Sequence, residues 1–176
     1  MDALREKLAA GQGEAFAELY DALADRLYRF LVVRLGSRTD ADDVLQEVFV
    51  RLARSRGQFA KVENLTAYVF TIARNEAARF GRRRSRRWSV EVELDAETLS
   101  ACGAGEGERR QEQADLVAAG LARLNDARRE IVEFRAFAGL TFAEIATVTN
   151  TPQGTVATRY RKAIEKLRTF FERQES

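Results

Sequence analysis

Pro152 is the only proline among 176 residues, so almost nothing in this chain interrupts a helix, and the one break it makes is informative. Proline lacks a backbone N–H and has a fixed φ, which excludes it from helix interiors but suits a first turn. It lies within TFAEIATVTNTPQGTVATRYRKAIEKLR, residues 141–168, which reads as a helix, a tight turn and a second, basic helix. Thr141 and Glu144 have capping-box spacing and start the first helix. Asn150 tolerates the left-handed conformation that closes it. Thr151 then supplies an N-cap, and Pro152 the first turn, of the second helix. There Val156, Tyr160, Ile164 and Leu167 form one apolar stripe, and Thr155, Ala157, Thr158, Arg159, Arg161 and Lys162 lie opposite. Two readings stand: a helix-turn-helix that enters a DNA major groove, or a helical hairpin whose basic face is merely solvated.

Helical spacing recurs upstream. Phe16, Leu19, Tyr20, Leu23, Leu27, Phe30, Leu31 and Leu35 mark a long helix ended by Gly36. A second runs from about 40 to 55 with Val44, Leu45, Val48, Phe49 and Leu52 on its buried side. A loop over 57–63 follows, and Asn64 caps a third helix reaching about residue 84, with Leu65, Tyr68, Val69 and Ile72 inward. After Arg87 the segment SVEVELDAETLSACGAGEGE is acidic, small and glycine-rich, and reads as a flexible linker in which a short strand or turn over 90–99 stays open. Helical pattern resumes near Gln111 with Leu116, Val117, Leu121 and Leu124, and again over 126–137 with Ile131, Phe134 and Phe137 inward. The expectation is an all-α protein: a small helical domain over 1–87, a linker over 88–110 and a second helical domain over 111–176. Each domain is small enough to be marginal alone, so docking against the other or against a partner is expected.

Charge is unevenly placed. The 29 Lys and Arg nearly balance the 27 Asp and Glu, but acidic residues gather near 40–47 and 91–97 and basic ones near 79–87 and 159–168. That asymmetry points to a polyanion on one surface and a protein on another. The chain has no histidine, which removes the commonest general base and metal ligand. Its single cysteine, Cys102, permits no internal disulfide, fits a reducing cytoplasm and reads as an inert linker thiol rather than a redox sensor. No apolar run approaches the roughly 18 residues of a membrane span, and the first residues lack a secretion signal.

Two further motifs carry chemistry. In DADDVLQEVFVRL, residues 40–52, Asp40, Asp43 and Glu47 share one helix side with Gln46 beside them. Acidic residues in a first turn complement the helix dipole. They also suit a protein contact, and Asp42, Asp43 and Glu47 offer the oxygen ligands of a divalent metal. In RNEAARFGRRRSRR, residues 74–87, the arginines are either a solvated helix end or a phosphate-binding surface. Phe59 and Tyr68 add aromatic faces that hold unstacked bases, and Asn75 adds a base-reading amide, although Tyr68 equally suits the core.

These runs, in this order, resemble the bacterial RNA polymerase sigma factors of the sigma-70 family, in particular the extracytoplasmic-function (ECF) group, which keeps only regions 2 and 4. The resemblance covers most of residues 15–87 and 114–170. It implies a region 2 bundle of three or four helices and a region 4 helix-turn-helix. It assigns docking on the β′ clamp helices of core RNA polymerase to Asp40, Asp42, Asp43, Gln46, Glu47 and Arg51. It assigns recognition and melting of the −10 promoter element to the 59–67 loop and its surroundings, here Phe59, Asn64, Tyr68, Arg74, Asn75, Arg79, Arg82, Arg83 and Arg84. The −35 element falls to Pro152, Gly154, Thr155, Ala157, Thr158, Arg159, Arg161 and Lys162, with a further contact to the β flap. The family more often has tryptophan at Tyr68, aspartate at Arg79, and arginine or lysine at Ala157. A missing Arg–guanine pair removes about 1–3 kcal/mol of discrimination, so the −35 sequence read is expected to be unusual. The resemblance further implies a cytoplasmic protein that is no enzyme by itself, needs no cofactor or metal and has an anti-sigma partner. The competing readings are a stand-alone helix-turn-helix regulator and a metal-dependent hydrolase on the acidic helix.

Overall fold

The computed structural model describes residues 1–88 and 106–174, and every regular element among them is helical. The order is α1 (Asp2–Ala9), α2 (Glu14–Leu35), α3 (Arg38–Arg54), a 3-10 turn (Arg56–Lys61), α4 (Leu65–Trp88), α5 (Glu106–Ala122), α6 (Asp126–Val132), a π-helical turn (Glu133–Phe137), α7 (Phe142–Thr149) and α8 (Gln153–Glu172). Cys102 and the open strand or turn over 90–99 lie outside the described residues. α5 begins at Glu106, ahead of Gln111, near which helical spacing resumes in the sequence.

The first half packs α2, α3 and α4 around Leu19, Leu23, Leu27, Phe30, Val48, Leu52, Val69 and Phe70, all buried. α1, which hydrophobic spacing did not announce, closes one end against the 3-10 turn, and Arg5 donates to the Val62 carbonyl at 2.9 Å. The expected 57–63 loop is largely this turn, and it buries Phe59 completely. In the second half, Leu121, Leu124, Val132, Ala163 and Leu167 form a separate small core between α5, α6 and α8. Leu116, expected inside, stays 37% exposed, because only the C-terminal part of α5 meets α8.

The larger core does not stop at the boundary between the halves. Ile131, Phe134, Ala138, Leu140, Ile145, Val148 and Val156 belong to the same cluster as the α2–α4 residues. Phe134 stacks on Phe30 with centroids 4.7 Å apart and meets Phe70 edge-on at 6.3 Å. The π-helical turn ends where Ala138 N–H reaches Glu133 O at 3.2 Å and Gly139 takes φ +66°. Arg26 of α2 then caps that end, Nε donating to Ala138 O at 2.8 Å and Nη2 to Gly139 O at 3.2 Å. A cation at a helix C-terminus complements its dipole.

The helix-turn-helix forms largely as its sequence dictates. Thr141 and Glu144 make both bonds of the capping box, and Asn150 closes α7 at φ 48°. The second cap differs from expectation. Pro152 is itself the N-cap of α8, and the Thr151 hydroxyl donates to Thr149 O at 3.2 Å instead of capping. Tyr160 and Ile164 are only partly buried, whereas Ala163 is fully inside. Thr141→Ala should therefore lower stability by about 1 kcal/mol through loss of the cap. Thr151→Ala should cost clearly less, which thermal or urea unfolding of the full chain will compare.

Candidate nucleic-acid and polymerase interface

α3 starts because Ser37 Oγ accepts the Asp40 N–H at 3.2 Å. Burial of Val44, Leu45, Val48 and Leu52 then leaves Asp42, Asp43, Gln46 and Glu47 exposed. Beside them lies an apolar patch. Tyr20, 50% exposed, tilts against the half-buried Phe49 at 4.9 Å, and Val50 is 41% exposed. Exposed carboxylates beside exposed aromatic surface suit a protein partner better than a solvated helix. Asp40 departs from the free face and pairs with Arg84 of α4. Among the described residues no group of three or more histidine, cysteine, aspartate or glutamate side chains converges as a metal site.

α4 begins where Asn64 Oδ1 accepts the Ala67 N–H at 2.9 Å. Around this start lies a cleft of about 430 Å³ lined by Gln58, Lys61, Val62, Glu63, Asn64, Tyr68, Thr71 and Thr147. Tyr68 is half-buried with its ring edge-on to Phe59 at 6.0 Å, so it serves the core and still lines the cleft. Phe59 must be withdrawn as a base-stacking face. It is 0% exposed, held between Phe16 and Tyr68, and supports the cleft from beneath. One helical turn further on, Asn75 is exposed, as are Arg79, Arg82, Arg83 and Arg84. Successive arginines on exposed helix surface provide the guanidinium forks that match phosphate.

Arg74 is not at that surface in the same sense. Its Nε and Nη2 donate to the two Glu130 oxygens, each at 2.8 Å. Hydrogen bonding to Glu130 raises the Arg74 pKa above its ordinary value, against desolvation and with a smaller Coulombic contribution from the same carboxylate. Arg51 and Arg79, assigned by sequence to different partners, share one acceptor. Glu76, only 3% exposed, takes Arg51 Nη1 at 2.8 Å and Arg79 Nη1 at 3.3 Å on its Oε1. Sequence reading assigned Glu76 no role. The signal was present, because Val69, Ile72, Ala73, Glu76 and Ala77 fall on one helical face and the carboxylate is the odd member.

On α8, Pro152, Gln153, Gly154, Thr158, Arg161 and Lys162 are exposed, while Thr155, Ala157 and Arg159 are partly buried. The Thr158 hydroxyl donates back to Gly154 O at 2.9 Å, which leaves its oxygen as an acceptor toward the outside. α7 braces the helix through Phe142, whose ring centroid lies 5.5 Å from that of Tyr160 and 5.2 Å from the Arg135 guanidinium. Gln153, at the exposed start of α8, was missed by the sequence reading. Its amide is a natural base-edge reader.

Family comparison agrees with this arrangement. Residues 19–87 match the Sigma-70 region 2 model and residues 120–169 the Sigma-70 region 4 model. The chain is 32% identical over 162 residues to the ECF RNA polymerase sigma factor RpoE of Cereibacter sphaeroides, covering 88% of this chain and 84% of that one. It is 33% identical over 172 residues to the ECF RNA polymerase sigma factor BldN of Streptomyces coelicolor, with 93% of this chain aligned but only 63% of the relative. The fold matches CnrH, solved with the cytosolic domain of CnrY, at a TM-score of 0.70 and 22% identity over 97% of this chain and 96% of that one. The sigma factor RpoE of Bartonella quintana, solved with the anti-sigma factor NepR, also gives 0.70, at 21% identity over 90% and 98% of the two chains. The chain belongs to the sigma-70 family, as an ECF RNA polymerase sigma factor. Sigma factors as a family are not enzymes.

Glu76→Gln keeps the shape of that side chain but removes the charge from a site with two cations. Both arginines are nearly half exposed, so screening limits the loss to about 1–2 kcal/mol of unfolding free energy. The measurement is urea denaturation followed by circular dichroism.

Proposed function

We propose that this protein is a promoter-recognition subunit that joins core RNA polymerase and directs initiation at promoters with −10 and −35 elements. The observation that carries the reading is the presence, in one chain, of an exposed acidic α3, a polar cleft at the start of α4 and an exposed recognition-type α8. Asp42, Asp43, Gln46 and Glu47 dock on the β′ clamp helices, with Tyr20, Phe49 and Val50 supplying apolar area. Asp40 and Arg51 border this contact and act partly through their pairs with Arg84 and Glu76.

Region 4 fixes register on duplex DNA upstream through phosphate contacts from Arg161 and Lys162, while Gln153, Thr155 and Thr158 approach base edges. Ala157 adds no polar reading, and Arg159 contributes a phosphate contact from the flank. In region 2 the cleft bounded by Asn64 and Tyr68 receives an unstacked base of the −10 element, offsetting an unstacking cost of a few kcal/mol. Asn75 and the guanidinium groups of Arg79, Arg82, Arg83 and Arg84 hold the strand beside it. Polymerase performs the nucleotidyl transfer, so the chain needs no catalytic group, cofactor or metal of its own. It works in the cytoplasm; among the described residues no helix is long and apolar enough to cross a membrane. An anti-sigma protein that covers the same faces belongs to this reading.

Reconstitution with core polymerase, with mapping of transcription start sites, tests it. Promoter-specific initiation is expected only when both are present. Specific operator binding by the chain alone, with no effect on polymerase, would establish a stand-alone regulator instead. Asp43→Arg and Glu47→Arg should each weaken polymerase binding at least tenfold with unchanged helicity; normal co-purification would remove α3 as the docking helix. Asn75→Ala should slow promoter opening more than closed-complex formation, as permanganate footprinting against gel shift will separate.

A further inference from the structure

Part of the cleft at the start of α4 rests on a loop. Val62, Glu63 and Asn64 line it, and these three residues are the whole connector between the 3-10 turn, which ends at Lys61, and α4, which begins at Leu65. A site carried on a loop holds its geometry less precisely than one carried on helices. Both ends of this connector are closed by local bonds. Val62 N–H donates to Phe59 O at 3.2 Å; Asn64 accepts the Ala67 N–H on its side chain at 2.9 Å and the Tyr68 N–H on its carbonyl at 3.0 Å. Among the described residues, one hydrogen bond reaches the connector from a distant part of the chain. Arg5 Nη1 of α1 donates to Val62 O at 2.9 Å, across 57 positions.

α1 is built to hold that bond. Leu4 and Leu8, on either side of Arg5 in sequence, are buried in the same core as Phe59 and Leu65. Lys7 Nζ also reaches both Glu18 oxygens on α2, at 2.6 and 2.9 Å, although so exposed a pair adds little. Arg5 itself is only 29% exposed, and its nearest carboxylate, Glu6, stands 4.0 Å away. Its guanidinium is thus committed to a backbone oxygen, and a charged donor makes such a bond roughly twice as strong as a neutral one. Phe59, which carries the Tyr68 ring of the cleft, is in turn packed on Phe16, with the Arg56 guanidinium 4.9 Å over that ring. α1 lies ahead of residues 19–87, which match the region 2 model.

We infer, on the promoter-recognition reading above, that Arg5 is a positioning residue for base capture at the −10 element. It touches no DNA. It fixes the Val62 carbonyl and so the path of the connector, which sets where Asn64 stands relative to the Tyr68 ring. Loss of the bond leaves the connector held only at its ends, and the cleft then discriminates less sharply among the bases offered to it. Duplex recognition by α8 does not depend on this connector and is unaffected.

The test uses holoenzyme reconstituted from core polymerase and the full chain, on a promoter found by mapping its start sites. Arg5→Ala should weaken binding of the single-stranded non-template −10 oligonucleotide about three- to tenfold by anisotropy. It should also reduce, by a similar factor, the preference for that oligonucleotide over versions with single-base changes. Binding of a duplex −35 fragment should stay as in the parent. One bond from one nitrogen needs no planar fork, so Arg5→Lys should restore most of the affinity and the preference. If Arg5→Ala does not fold, Arg5→Gln decides by the same measurements. A folded variant with parental affinity and parental base preference overturns the positioning role, and so does an equal loss on the −35 duplex. Parent protein that gives no initiation with core polymerase overturns the promoter-recognition reading itself.

Discussion

Packing of Phe134 against the touching pair Phe30 and Phe70, with the ion pairs among Arg34, Arg74, Glu130 and Glu133 joining the same two faces, is the contact on which the rest of the architecture depends. Without it the chain is two small helical bodies, each with an apolar face that its own helices cannot cover. Area burial drives such faces together at about 25 cal/mol per Å², but it does not choose an orientation. The ion pairs do. A buried carboxylate left without its partner costs several kcal/mol, so only a docking geometry that pairs Glu130 and Glu133 is tolerated. Net stability from such pairs is small; their value here is specificity.

The π-helical turn has a place in this. Continuing α6 as a regular helix would rotate each later residue by the usual 100° and shift where Ala138 and Leu140 point. The wider turn at Glu133–Phe137 keeps Glu133 and Phe134 inside while the backbone ends at Gly139, where Arg26 caps it. Such turns inside helices are frequent at functional sites. This one lies where the two halves meet and just ahead of the capping box that begins the helix-turn-helix.

Local rules made much of the molecule legible. Thr141, Glu144 and Asn150 mark α7 because a capping box and a left-handed closing residue act over a few bonds and need no tertiary partner. Apolar spacing found α2, α3, α4 and α8 for the same reason. It overlooked α1, whose short helix is stabilised mainly by packing Leu4 and Leu8 against the rest. The interface was legible by residue type and in part by position. Exposure of Asp42, Asp43, Gln46 and Glu47 follows from helical period, but the burial of Phe59 does not, since a turn residue has no periodic face to declare its direction. Thr151 stands one residue before the N-cap, Pro152, and its hydroxyl donates to the Thr149 carbonyl instead.

By itself the sequence determined that this chain is helical, where its helices break, which faces carry acid, arginine and recognition residues, and through those runs its family. These are matters of period, capping and residue chemistry, all decided within a few residues. Only the tertiary structure decided which of those charges are available. Arg74, Arg51 and Arg79 look alike in the sequence as cations on helices. Folding gives Arg74 to Glu130, 56 positions away, and makes Arg51 and Arg79 share Glu76. A guanidinium binds whichever carboxylate or phosphate the fold brings within 3 Å or so, and no local pattern states which one that will be.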